Sequence, residues 1–183
     1  GQYVISFWMP TIIRNSGVAE PWAIGVLTAI PYSVATVSMV LVGRSSDRLR
    51  EYRWHLAICA FIGGAGVVFG TLFGESLVLS MIGLTIGTAA MISSLPVFWG
   101  MPTAVVGGAA AAAGIALINS LGNIAGFFST IVVGWLTQLT GNTHAAMYFM
   151  AAALVIGGLL GLSVSRTPRI AEPAGAGLPR DAM

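Results

Sequence analysis

Two side-chain amides, Asn119 and Asn123, stand one helical turn apart in GIALINSLGNIAGFF, residues 114–128, where no residue is charged. An amide donates and accepts hydrogen bonds at once, which suits a hydroxylated acid as ligand. Asn119, Gly122, Asn123 and Gly126 follow the i, i+3, i+4, i+7 spacing and form one stripe on a helix. Amides left unpaired against lipid would cost on the order of several kcal/mol each. The stripe therefore lines a wet cavity, or it joins helices through hydrogen bonds and the Gly122–Gly126 close approach. Tyr32 is a further candidate, next to Pro31, which lacks a backbone N–H and permits a kink. Trp99 offers an indole N–H and a flat face for a ligand's C–H groups, or else anchors a helix end at the membrane surface. Tyr3, Trp8, Ser93 and Ser94 are weaker members of the same set. No cluster of residues suggests a metal or a cofactor.

Positioning these groups falls to helices in lipid. Of 183 residues, 56% are hydrophobic and 8% charged, and the mean hydropathy is +0.89. A soluble domain carries about 25% charged residues. The apolar residues fall in six segments, residues 1–13, 22–43, 55–73, 76–99, 108–138 and 145–164. Each internal one reaches or approaches the ~20 residues of a membrane helix. The first provides only about 20 Å of helix against a ~30 Å hydrocarbon core, so it is expected to begin before residue 1. Residues 166–183 lack periodicity, are rich in Pro, Gly and Ala, and are expected to be a disordered tail.

All eight basic residues are arginines. Arg44, Arg48, Arg50 and Arg53 crowd the segment between the second and third helices, and Arg166, Arg169 and Arg180 follow the sixth. Four helices separate these groups, so both lie on one side, with only Arg14 opposite. By the positive-inside rule that side, with the C-terminus, is cytoplasmic. An offset of 91 residues aligns helices 1–3 with helices 4–6. It places Phe7-Trp8 on Phe98-Trp99, Val42-Gly43 on Val133-Gly134, Gly66 on Gly157 and Gly70 on Gly161. Thr28 and Tyr32 then match Asn119 and Asn123. Three helices per unit invert the second copy, which predicts an all-α membrane protein built as a 3+3 inverted repeat around a midplane cavity.

FWMPTIIR (7–14), GRSSDRLREYR (43–53), PVFWGMP (96–102) and ALINSLGNIAGFFSTIVVGWLTQLTG (116–141) resemble the C-terminal half of the major facilitator superfamily. Within it the chain is most similar to the anion:cation symporter family, up to Arg166. The resemblance implies a C-terminal six-helix half, residues 1–165, of a twelve-helix transporter in the inner membrane. That transporter carries a small organic anion with protons by alternating access, and its N-terminal half is the missing partner. The resemblance also implies substrate contact at Asn119 and favours it at Trp99, while the helix stripe, the repeat and position along the helices add Asn123, Tyr32, Tyr3 and Ser94 as substrate-binding candidates. Gly43, Asp47, Arg48 and Arg50 resemble the superfamily's cytoplasmic gating latch, although Leu49 replaces a residue that is often small.

Other functions fit less well. No basic patch interleaved with aromatics supports nucleic-acid binding. His55 and His144 fall on opposite sides of the membrane by helix parity, and no G-x-S-x-G occurs, which argues against an intramembrane serine protease and against an enzyme generally. The single Cys59 makes no intrachain disulfide. No hydrophobic segment contains Asp, Glu, Lys or Arg, so proton coupling and charge recognition must come from elsewhere. The alternative is a self-contained six-helix binding subunit of a larger importer, which would need a complete first helix.

Overall fold

The computed structural model describes residues 2–15, 17–103 and 108–163, without the side chains of 2–5, 7, 8, 15, 102, 103 and 108–111. It is all-helical over these residues: α1 (Gln2–Asn15), α2 (Pro21–Leu49), α3 (Tyr52–Leu72), α4 (Leu77–Thr103), α5 (Gly108–Thr140) and α6 (His144–Ser163). Five of them, α2 to α6, are long and apolar enough to cross a membrane, whereas α1 has 14 residues. The tail 166–183 lies outside the described residues.

Glycines decide which helices come closest. On α3 an added Cβ at Gly66 would lie 2.6 Å from the Gly87 backbone N of α4. A Cβ at Gly83 of α4 would lie 2.4 Å from Gly70 N. These distances hold backbone against backbone, the small-residue packing that joins helices where lipid removes any hydrophobic drive. On its other side α3 packs on α6, where a Cβ at Gly158 would reach the Ala60 Cβ at 2.9 Å. Helix α4 also carries α2, while α2 and α3 scarcely touch. Half of the apolar window of α3 and of α4 is buried, against 6% for α5. Helix α5 leans only lightly on α1 and α6.

The tightest core lies at one end. It joins Met9 and Ile13 near the end of α1, Ile24 at the start of α2, Val67 late in α3, Met81 and Leu84 early in α4, Val133 late in α5 and Met147 early in α6. This is the end of the α3–α4 and α5–α6 turns, opposite the arginine-rich α2–α3 turn. There Gly141 adopts φ +67, and the side-chain carbonyl of Asn142 accepts the His144 N–H at 3.0 Å, starting α6.

One boundary differs from the hydropathy pattern. The apolar run ends at Gly43, but α2 continues to Leu49. Arg44, Asp47 and Arg48 therefore stand on the last turns of a helix rather than in a loop, and the turn between α2 and α3 is only Arg50 and Glu51. Backbone hydrogen bonding does not stop where burial in lipid stops. Polar residues continue a helix readily once their side chains are solvated.

Candidate functional site

Helix α5 presents its amides outward. Asn119, Gly122 and Asn123 are exposed, and an added Cβ at Gly122 would meet nothing within 4 Å. Gly122 is thus no close-approach point for another helix of this chain. The same stripe continues through Gly126 and Ser129 to Val133, which is fully buried. The second half of α5 therefore seats on the core while the first half stands clear. That leaves a polar strip on a helical face toward the arginine-rich end that is exposed among the described residues.

Across the bundle, Ser6 of α1 and Tyr32 of α2 share a hydrogen bond of 2.8 Å between their hydroxyls. Pro31 is fully buried in α2, and the Tyr32 ring is half-buried against the core. The Thr28 hydroxyl donates back to the Ile24 carbonyl at 2.7 Å, which uses its one donor proton and leaves its lone pairs. Trp99 is half-buried near the end of α4, edge-on to Phe98 with centroids 5.4 Å apart. The Ser94 hydroxyl donates to the Met91 carbonyl at 2.6 Å, and Ser93, fully buried, bonds Ser38 of α2 at 2.8 Å. The two serines thus do separate work: Ser93 joins helices, whereas Ser94 is half-buried and caps its own helical turn. The side chains of Tyr3 and Trp8 lie outside the described residues.

At the arginine-rich end α2 and α4 meet closely. A Cβ at Gly43 would sit 3.5 Å from the Pro96 Cβ, and the buried Ser46 hydroxyl donates to the Gly43 carbonyl at 2.8 Å. The Tyr52 hydroxyl donates to Asp47 Oδ1 at 3.3 Å, and its ring lies against Gly100, where a Cβ would fall 2.7 Å from it. The carboxylate at the end of α2 is thereby linked, through one ring, to the residue after Trp99. Arg50 closes α2 in the left-handed conformation, φ +50, and its N–H donates to the Asp47 carbonyl at 3.3 Å. Arg48 lies in the last turn, where a cation opposes the helix dipole favourably. Arg53 reaches across to the Leu162 carbonyl of α6. Tyr52, Pro96 and Gly100 were inside the quoted motifs but carried no signal of their own, since a ring-on-glycine contact needs the helix crossing to be known.

Among the described residues no group of three or more potential metal ligands forms. The chain is 44% identical over 154 residues to a Pseudomonas putida protein named as the metabolite transport protein NicT, covering 84% of this chain and 35% of that one. An Agrobacterium vitis protein named for tartrate transport is 38% identical over 173 residues, covering 94% of this chain and 38% of its own. The inner membrane transport protein RhmT of Escherichia coli is 33% identical over 168 residues, covering 90% and 39%. The chain thus spans less than half the length of these relatives. No family model matches it. No solved structure matches it either.

Proposed function

Because the chain belongs with the major facilitator superfamily transporters of the anion:cation symporter type, we propose that it forms the C-terminal half of a secondary transporter. The whole protein carries a small organic anion with protons by alternating access. The observation that carries this is the face of α5 on which Asn119 and Asn123 are exposed among the described residues. The opposing half closes that face, and the amides contact a hydroxy- or sugar-acid in the cavity between. The tartrate named for one relative fits this chemistry: an amide matches both hydroxyl and carboxylate oxygens. Tyr32, held by Ser6, and Trp99 line the same cavity, with Tyr3 and Ser94 beside them. Charges for proton coupling are supplied by the other half.

One feature supports a 3+3 inverted repeat: the 91-residue offset matches helix to helix in all three pairs. The seven-to-one arginine asymmetry puts the α2–α3 turn in the cytoplasm of a cell whose inner membrane holds the protein. There Gly43, Asp47, Arg48 and Arg50 serve as the gate, with Asp47 set by Tyr52 so that it can meet a partner on the other half.

In the reconstituted full-length transporter, Asn119→Ala is expected to lower hydroxy-acid uptake about tenfold, the effect of one lost hydrogen bond to a charged ligand. Membrane expression should be unchanged. Wild-type uptake kinetics in this variant would refute the binding role.

A further inference from the structure

A second recess lies away from α1 and α5. Helices α2 and α3 both pack on α4 but scarcely on each other, so α4 floors a groove between them with a cavity of about 310 Å³. Its walls are Val34 and Val42 of α2, Ile58 and Ile62 of α3, and Ile86 and Ala90 of α4. Val34, Ile58, Ile62 and Ile86 are each roughly half exposed, so the groove opens sideways. These helices are long and apolar enough to cross a membrane, where a groove open to the side meets lipid acyl chains. The three hydroxyls within it are all partnered: Ser38 and Ser93 share a hydrogen bond, and Thr85 donates to the Met81 carbonyl. Nothing polar inside therefore asks for a hydrated ligand.

Length and charge define the occupant. From Val34 to Val42 the groove runs about 12 Å at 1.5 Å per residue, close to the ~15 Å depth of one leaflet. It ends at His55, whose Nε2 lies 3.0 Å from the Ser45 hydroxyl. The groove-facing positions of α2, 34, 38, 42 and 45, continue at helical spacing to Arg48. Arg44 and Arg48 are exposed. Of the nearby groups, Arg53 donates to the Leu162 carbonyl and Asp47 accepts from Tyr52 while keeping its charge, so Arg44, Arg48 and Arg50 face Asp47 and Glu51 with a positive balance. Trp54, exposed beside His55, fits the headgroup level.

We infer that this groove binds one anionic phospholipid of the leaflet on the arginine-rich side, its acyl chain between α2 and α3 and its phosphate against Arg44 and Arg48. The inference rests on the chain spanning a bilayer and not on the transport role. Two basic side chains near an anionic group give roughly a tenfold or greater preference over a zwitterionic lipid.

The test is native mass spectrometry of the full-length transporter, purified with mixtures of phosphatidylglycerol and phosphatidylcholine. The wild type should keep one phosphatidylglycerol at this site in at least that preference. Ile62→Trp, which fills the groove from its rim, should lose the lipid, whereas Ile156→Trp on the exposed face of α6 should keep it. The double variant Arg44→Gln/Arg48→Gln, altered only at exposed positions, should still retain a lipid but without preference. Retention unchanged in Ile62→Trp, a preference unchanged in the double variant, or equal retention of both lipids by the wild type would each overturn the inference.

Discussion

Gly66 and Gly157 are matched by the 91-residue offset, yet their surroundings differ, and the same substitution at both separates packing from pattern. A Cβ at Gly66 would lie 2.6 Å from Gly87 N, 3.0 Å from Gly87 Cα and 3.0 Å from Gly83 O, all backbone. Comfortable contact between carbons is about 3.5–4.0 Å, so α3 and α4 must part by on the order of 1 Å along their whole crossing. Overpacking of this kind costs about 1–3 kcal/mol, and backbone on the far side, unable to rotate away, sets it near 3. Replacing glycine by alanine in a helix returns about 1 kcal/mol. Gly66→Ala should therefore destabilise by about 2 kcal/mol. At Gly157 a Cβ meets nothing within 4 Å, so only the helical gain of about 1 kcal/mol applies. The two variants should differ by about 3 kcal/mol, which for a soluble protein of this size would be roughly 6–12 °C. Thermal unfolding of the full-length transporter in one detergent, followed by tryptophan fluorescence, measures it. A Gly66→Ala protein melting with or above the wild type would refute the close-crossing argument. A Gly157→Ala protein that falls like Gly66→Ala would mean that α6 has the same close neighbour that α3 has.

Three further outcomes follow from named contacts. Tyr52→Phe removes the hydroxyl that Asp47 accepts; transport should slow while the melting temperature falls by no more than the ~1 kcal/mol of an ordinary hydrogen bond, and an unchanged turnover would argue against a role for that carboxylate in gating. Arg50→Gly relieves a left-handed φ of +50 that costs a non-glycine residue about 1 kcal/mol; the variant should melt higher, and a lower melting temperature would show that the guanidinium itself holds the turn. Ser38→Ala leaves the buried Ser93 hydroxyl without its partner, at about 1–3 kcal/mol; Ser38→Ala/Ser93→Ala should recover most of that loss, and equal instability in the single and double variants would show that the pair is not coupled.

Much of the architecture was legible because lipid simplifies the code. Long uncharged runs mark spans, and the five long helices fall on the five internal runs. The shortness of α1 was visible in the same way. Contacts were less so. Gly66 and Gly70 stood out only as matches at a fixed offset, yet they are where α3 meets α4, while Gly122, which sits in a G-x-x-x-G pattern, touches nothing nearby. A small residue permits close approach without saying who approaches, and the answer lies in pairings far apart in sequence. The extension of α2 to Leu49 was hidden because hydropathy reports the solvent around a helix and not its hydrogen bonds. The Tyr52–Asp47 link was hidden for a related reason, since it crosses a turn whose length depends on that boundary.

The amides give the clearest case of what an uncovered helical face reveals. Two asparagines in an apolar helix could be resolved by an internal partner, by lipid-facing exposure, or by a surface completed by another body. The structure places Asn119 and Asn123 on the exposed half of α5 while Val133, farther along the same stripe, is fully buried. A helix rolled to face lipid along its length would not bury Val133 on the amide stripe. A helix packed along its length would not leave the first half bare. The combination leaves the first half of α5 largely uncovered among the described residues, toward the arginine-rich end where Gly43, Asp47 and Tyr52 also sit. An amide held against hydrocarbon without a partner would cost on the order of several kcal/mol, so an exposed polar stripe is more stable against water or protein than against lipid. On the transport role proposed, water or a second polar surface faces these amides, while Met9, Ile13 and Met147 pack together toward the opposite end of the bundle.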